Sequence, residues 1–168
     1  MEENLLLCYN YLENIVNMVG RNLSANARRG PWLNIDNNTL NKVKEFLVRQ
    51  LEPQTIIVFG SSVKGNFRED SDIDVAFISA KEVTSYDLYL LAQSLVLEVG
   101  REVDLVDLSQ ASTVFKVQIL GLGRVIYSND PQKLAEFQIR ALKEYALLNE
   151  ERAEILRNIS VRGKVYGG

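Results

Sequence analysis

Histidine is absent from this chain of 168 residues, and cysteine and tryptophan occur once each. Without histidine, a Ser-His-Asp or Cys-His nucleophile and a histidine general base are excluded within the chain. The single cysteine, Cys8, excludes an internal disulfide, and cysteine and histidine together are too few for a zinc site. A bound metal must therefore accept oxygen ligands, which favours Mg²⁺ or Mn²⁺.

Long apolar runs and an excess of positive charge are also missing. No stretch approaches the ~20 apolar residues that a membrane span needs. Glu2 and Glu3 precede the apolar patch near the N-terminus, where a signal peptide would carry positive charge. The net charge of −3 gives no basic field for bulk binding of nucleic acid. We therefore expect one compact soluble domain in the cytoplasm.

The order of elements predicts an α/β (α+β) domain with a small mixed sheet flanked by helices. We expect an N-terminal helical extension and linker over residues 1–38, a core over 39–130, and a C-terminal helix and tail over 131–168. Helices are predicted over residues 4–22, over 39–51 with Thr39 as the cap and Pro53 ending it, from Thr84 or Ser85 to Gly100, over 112–120 and over 131–159. Strands are predicted over residues 55–59, 72–79, 102–108 and 124–128.

The segment from Gly60 to Asp74 carries the strongest chemical signal. The apolar run TIIVF breaks at Gly60-Ser61, where free backbone N–H groups and a hydroxyl can receive a phosphate. Asp72 and Asp74 follow, two residues apart on a predicted strand, so both carboxylates point to the same face. Neighbouring carboxylates repel each other unless a cation sits between them. A phosphate-binding loop beside a divalent-metal site is suited to a nucleoside triphosphate.

Asp104 strengthens this interpretation. An isolated Asp-x-Asp at the start of a strand is as often a turn or cap as a metal site. Asp104, however, lies in VDLVD, a run expected to be largely buried, where carboxylates seldom lack a partner or metal. Three aspartates holding two ions would bridge a triphosphate, activate an attacking hydroxyl and neutralise pyrophosphate. Asp107 is expected on the opposite face of the strand.

The phosphate-binding loop offers further candidates. Ser62, Lys64 and Arg68 follow Gly60-Ser61 and can meet phosphate oxygens. Two cations in a polar loop are more often simply solvated. Gly60-Ser61 can equally be a turn with serine as the N-cap of a helix, although such a turn also presents N–H groups to an anion.

These residues resemble the minimal nucleotidyltransferases of the DNA polymerase β superfamily. The signature of that superfamily is Gly-Ser, roughly ten residues, Asp-x-Asp, and a later Asp on a strand. The resemblance implies the polymerase β-type fold, with Ser61 and the Gly60 backbone on the β- and γ-phosphates of ATP. It implies that Asp72 and Asp74 hold two Mg²⁺ ions, while Asp104 binds one and assists deprotonation of the acceptor.

Small proteins of this kind often serve as the antitoxin of a HEPN/MNT toxin–antitoxin pair. The resemblance then implies transfer of AMP from ATP to a tyrosine hydroxyl of a HEPN ribonuclease toxin, which would be the partner. Two alternatives stay open. One is a small-molecule nucleotidyltransferase that inactivates an antibiotic, for which Glu98, Glu102, Asp107 and Glu69 offer acidic groups. The other is a non-catalytic subunit that only binds its toxin.

Overall fold

The computed structural model describes residues 35–63 and 71–163. The helix predicted over residues 4–22 lies outside the described residues, and so do Lys64, Arg68 and Glu69. Among the described residues, no helix is both long enough and apolar enough to cross a membrane.

Four helices and four strands make up the described part of the chain. The helices are α1 (Asn37–Leu51), α2 (Ser85–Val99), α3 (Thr113–Leu122) and α4 (Pro131–Gly163). The strands are β1 (Thr55–Val58), β2 (Ile73–Ile78), β3 (Val103–Asp107) and β4 (Arg124–Ser128). A 3₁₀ turn over Gly60–Val63 follows β1 directly. All four predicted strands are present, each within a residue or two of its expected ends.

The strands form one mixed sheet in the order β3-β2-β1-β4. β1 runs antiparallel to β2 and β4, whereas β2 and β3 are parallel and joined through α2. The predicted small mixed sheet flanked by helices is therefore confirmed. Because of these directions, β1 ends at the same edge of the sheet at which β2, β3 and β4 begin.

Each face of the sheet has its own apolar core, as alternation of side chains requires. One core joins Ile56, Val75 and Phe77 to α1 and α2 through residues such as Leu47 and Leu95. The other core joins the opposite side chains of the strands to α3 and α4. Its buried members include Ile57, Ala76, Ile78, Val117, Ile119, Leu120, Leu134 and Ala141. Asp74 and Asp104 alternate with the first set, so they belong to the α3–α4 face.

Two predicted helix ends are corrected by the structure. Asp36, rather than Thr39, caps α1, because its carboxylate accepts hydrogen bonds from the Thr39 backbone N–H at 2.9 Å and hydroxyl at 2.6 Å. Helix α3 continues past Leu120 to Leu122 and stops at Gly123. A Cβ on Gly123 would lie 2.5 Å from both the Ile119 carbonyl oxygen and Ile57 Cγ2, so the chain turns where only glycine fits.

Candidate active site

The site lies at the edge of the sheet where β1 ends and β2 and β3 begin. Val58 pairs with Val75, and the Phe59 N–H donates to the Asp74 carbonyl oxygen at 3.0 Å. In the parallel ladder Asp74 pairs with Asp104, so both carboxylates stand on the same face. The turn after β1 is thereby fixed directly beside the start of β2.

Gly60 packs against the carboxylate of Asp74. Its φ is +69°, and a Cβ added there would lie 1.9 Å from Asp74 Oδ2 and 2.7 Å from Cγ. Any other residue would therefore meet both backbone strain and a steric clash. Gly60 and Asp74 are fourteen positions apart in the sequence. In the fold, the Gly-Ser turn and the Asp-x-Asp pair form one contiguous surface.

The serines that follow Gly60 have different environments. Ser61 is half-buried, whereas Ser62 is completely buried, and its hydroxyl has no hydrogen-bond partner among the described residues. The Ser62 side chain is thus withdrawn from solvent. Phosphate binding by Ser62 stays a prediction, and it would depend on the backbone N–H. Ser61 is the serine that remains partly exposed.

The three predicted aspartates differ in exposure. Asp74 is half-buried, while Asp72, just before β2, and Asp104 are exposed. The run VDLVD is largely buried, as expected, at Val103, Leu105 and Asp107. Asp104 itself is exposed, on the outermost strand of its side of the described sheet. In the described residues, no three carboxylates come close enough together to enclose a metal ion by themselves.

The donor set nevertheless fits magnesium. Mg²⁺ usually binds one or two carboxylates and completes its shell with water and substrate phosphates, rather than with an all-protein cage. Asp72 and Asp74, beside the Gly60 turn, supply carboxylate oxygens next to a surface suited to phosphate. Lys64 and Arg68 lie outside the described residues, so their predicted contacts with phosphate stay predictions.

Asp107 has a structural role at the far end of β3. It is 8% exposed, and its carboxylate accepts hydrogen bonds from the Ser109 backbone N–H and from Gln110 Nε2, both at 2.9 Å. These bonds form the turn that leaves β3. Asp107 lies on the opposite face of the strand from Asp104, as the alternation of side chains predicts. Its carboxylate is therefore not next to that of Asp74.

Arg101 was not predicted, and it contacts the segment that carries Asp72. Its Nη2 donates to the Ser71 carbonyl oxygen at 2.9 Å, and the Ile73 N–H donates to the Glu102 carbonyl oxygen at 3.0 Å. Both neighbours of Asp72 are therefore held by the start of β3. Arg101 directly follows Gly100, the glycine that ends α2. No sequence pattern distinguishes it from an arginine whose side chain is simply solvated.

Comparison with known proteins agrees with this geometry. Residues 41–132 match the family model described as polymerase β, nucleotidyltransferase, which is more than half of the chain. The chain belongs to the polymerase β nucleotidyltransferase family. The matched residues contain every strand of the described part of the chain, together with Gly60, Asp72, Asp74 and Asp104. This nucleotidyltransferase is therefore an enzyme of the class that its Gly-Ser and Asp-x-Asp elements predict.

Individual relatives share both sequence and fold with this nucleotidyltransferase. The protein adenylyltransferase MntA of Shewanella oneidensis is 33% identical over 106 residues, covering 63% of this chain and 76% of that protein. A crystal structure of a toxin–antitoxin with AMP-PNP matches with a TM-score of 0.65 and 31% identity, covering 72% of this chain and 98% of that one. A structure of tri-AMPylated Shewanella oneidensis HEPN toxin in complex with MNT antitoxin matches with a TM-score of 0.62 and 28% identity. That match covers 75% of this chain and 99% of the other.

Proposed function

We propose that this nucleotidyltransferase is an antitoxin that transfers AMP from ATP to a tyrosine hydroxyl of a partner HEPN ribonuclease toxin. The observation that carries the proposal is the packing of Gly60 against the Asp74 carboxylate, which brings the turn that we propose for phosphate next to a carboxylate that we propose for the metal. The likeness to a protein adenylyltransferase, and to a chain crystallised with an AMPylated HEPN toxin, supports this choice of acceptor. We place the reaction in the cytoplasm.

Each part of the site has a role in the proposed transfer. The backbone N–H groups at Gly60-Ser61 and the Ser61 hydroxyl bind the β- and γ-phosphates of ATP. Asp72 and Asp74 hold Mg²⁺, or Mn²⁺ in its place, and bound metal supplies charge neutralisation for the phosphates. Lys64 and Arg68, and the Ser62 N–H, add contacts to phosphate oxygens.

The proposed chemistry is a displacement at the α-phosphorus. The acceptor oxygen forms a bond to the α-phosphorus while the bond to the leaving pyrophosphate breaks, and the hydroxyl proton passes to the Asp104 carboxylate. Asp104 is exposed and pairs with Asp74 in the ladder, so it lies beside the metal-binding carboxylate and is open to an incoming acceptor. A hydroxyl on the surface of another protein can therefore approach Asp104 at this edge of the sheet.

Two of the four acidic groups considered for a cationic antibiotic are engaged elsewhere. Glu98 forms an ion pair with Arg49 at 3.1 Å on the α1–α2 side of the sheet. Asp107 is buried in the turn that leaves β3. These contacts favour a protein acceptor over a small cationic one.

The test is incubation of the chain with α-labelled ATP, Mg²⁺ and the product of the adjacent gene. Label is expected on a tyrosine of the neighbouring protein, and both Asp72→Asn and Asp74→Asn should abolish it. A matched control is Glu136→Gln, which neutralises an exposed acid on α4 and should transfer label normally. Label found only on a small molecule would contradict the proposed acceptor. Tight complex formation without any transfer would contradict the proposed chemistry.

A further inference from the structure

Helix α2 is apolar on two opposite faces. Its inner face packs into the core through Leu88, Leu95 and Val99. Its outer face carries large apolar side chains in solvent: Tyr86 is 69% exposed, Tyr89 60%, Leu90 44% and Leu97 88%. At 3.6 residues per turn, Tyr86, Leu90 and Leu97 lie within about 40° of one another around the helix. The outer face therefore carries a stripe of large apolar side chains from Tyr86 to Leu97, with Gln93 among them.

The composition of this stripe is that of a covered surface. Gln93 lies between Leu90 and Leu97 in the stripe and is exposed. It is polar but uncharged, and the stripe contains no charged residue. Single apolar residues on a protein surface are ordinary, but several in one line along a helix mark a contact with another segment. The charges of α2, such as Asp87 and Glu98, lie to the side of the stripe. One further layer packed on α2 would bury it.

The chain has a segment of its own to supply that layer. Thirty-four residues precede Ile35 in the sequence. Ile35 is 4% exposed and belongs to the same core cluster as Leu95 on the inner face of α2. The described chain therefore begins within the α1–α2 layer. The match to the toxin–antitoxin chain covers 98% of that chain but only 72% of this one. The remaining 28% of this chain lies outside the match.

Residues 4–22 have the pattern that the stripe requires. The sequence predicts an amphipathic helix there, with Leu5, Leu12, Ile15, Val16 and Val19 on one side. Nineteen helical residues would extend about 28 Å, enough to cover the roughly 22 Å of α2. The connecting residues 23–34 can span up to about 40 Å, so either direction of packing is within reach.

We propose that the apolar side of residues 4–22 docks on the outer face of α2 within the same chain. The short connection keeps the segment at an effective concentration of about a millimolar or more, well above that of a second copy or a partner. This inference is independent of the acceptor and of AMP transfer. It gives the N-terminal extension a structural role next to a core that the relatives share.

Cys8 makes the proposal directly testable. It is the only cysteine of the chain, and it follows Leu5 by three residues and precedes Leu12 by four, which places it on the docking side of the predicted helix. Gln93→Cys adds one thiol to the middle of the stripe. We expect a short bis-maleimide to join residues 8 and 93 within one chain. The matched control is Lys143→Cys, an exposed position on α4 at the opposite face of the sheet, which should not cross-link internally.

A second measurement follows the rate at which Cys8 of the full chain reacts with a maleimide. We expect Leu97→Asp to raise this rate roughly tenfold, because a carboxylate in the stripe opens the contact. Leu147→Asp makes the same change at another exposed leucine, on α4, and should leave the rate unchanged. Cross-links only between chains would assign the stripe to a second copy and overturn the proposal. Equal Cys8 reactivity in the parent and Leu97→Asp, without an internal cross-link, would also overturn it.

Discussion

At the scale of single residues, two glycines with similar backbone conformations have different surroundings. Gly60 has φ +69° and lies against the Asp74 carboxylate, whereas Gly100 has φ +77° and would have nothing within 4 Å of an added Cβ. The left-handed conformation costs a non-glycine residue about 1–2 kcal/mol at either position. Only at Gly60 does a methyl group also displace a carboxylate that the proposed chemistry needs.

Gly60→Ala and Gly100→Ala should therefore separate stability from activity. Both variants are expected to lose about 1–2 kcal/mol of unfolding free energy from the backbone, with a further loss in Gly60→Ala from the clash. Only Gly60→Ala should lose nucleotidyl transfer, because Asp74 must move. Urea unfolding and transfer assays on the same preparations provide the two measurements. Equal activity in the two alanine variants would refute the role assigned to the Gly60–Asp74 contact.

The aspartates of β3 form a second matched pair. Asp104→Ala removes an exposed carboxylate, so the unfolding free energy should change by no more than about 0.5 kcal/mol. The transfer rate of the Asp104→Ala variant should fall ~100-fold or more if Asp104 accepts the proton of the acceptor hydroxyl. Asp107→Ala removes two hydrogen bonds from a buried turn and should cost about 1–3 kcal/mol of stability, while the folded enzyme stays active. The reverse pattern would exclude Asp104 from the site.

At the scale of secondary structure, the helix ends follow local rules that the sequence states only in part. Thr84 or Ser85 was predicted to open α2 and Gly100 to close it, and the structure has Thr84 and Gly100 as the two caps. At α1, Asp36 and Thr39 are both good capping residues three positions apart, and the structure uses the first. At α3, Gly121 is accommodated within the helix, while the break falls at Gly123, where β1 approaches. That choice depends on tertiary packing and cannot be derived from local sequence.

The Asp36 cap predicts a pH-dependent contribution to stability. Hydrogen bonds from the Thr39 hydroxyl and backbone N–H lower the pKa of Asp36 below its ordinary value of 3.8. The cap is thus fully formed above that value and is lost as the pH falls through the lower pKa of the folded state. Asp36→Ala should lower the melting temperature at pH 7, and the difference from the parent should shrink below pH 3.8.

Ser112→Ala is the control for this titration. Ser112 caps α3 through a hydroxyl that accepts from the Phe115 N–H at 3.4 Å. Because a hydroxyl does not titrate in this range, the effect of Ser112→Ala on the melting temperature should stay constant with pH. Thermal unfolding of the three proteins from pH 7 to pH 2.5 makes the comparison. A constant difference for Asp36→Ala as well would contradict the role of its charged form.

The site was predictable to the extent that its residues follow strand alternation. Gly60, Asp72 and Asp74 could be predicted to lie together because a turn and an i, i+2 pair are local patterns, and their roles in binding stay predictions. The exposure of Asp104 within a largely buried strand was not predicted, since the sequence does not say which strand lies outermost in a sheet. Arg101 was missed because its contact with Ser71 joins residues thirty positions apart. Lys64 and Arg68 stay predictions.

At the scale of the whole molecule, the two cores lie on opposite faces of the sheet and the site lies at one of its ends. In the proposed site, a bound nucleotide would contact the β1 turn and the starts of β2 and β3 together. Binding to the folded state alone raises its stability by about 2.7 kcal/mol when the free ligand is at 100 times its dissociation constant. Binding of the nucleotide therefore stabilises the folded domain as a whole.

ATP with Mg²⁺ should raise the melting temperature by about 5–10 °C under these conditions, given about 2–4 °C per kcal/mol for a chain of this size. Differential scanning fluorimetry with and without EDTA measures the shift. Removing the metal, or replacing Asp74 by Asn, should abolish most of it. Asp107→Ala should start from a lower melting temperature yet keep the increment. A full shift in EDTA would exclude the proposed metal.

The sheet order has one more consequence, which concerns association between molecules. In the described sheet β3 lies at one edge, and an unpaired edge strand is a template for pairing with another chain. β3 carries a carboxylate at its second and fifth positions, Asp104 and Asp107, and charges on an edge strand oppose such pairing. The exposed Asp104 thus opposes pairing of this edge with that of another molecule. Under the proposed chemistry, selection for solubility and selection for catalysis would both preserve an acidic residue at the same position.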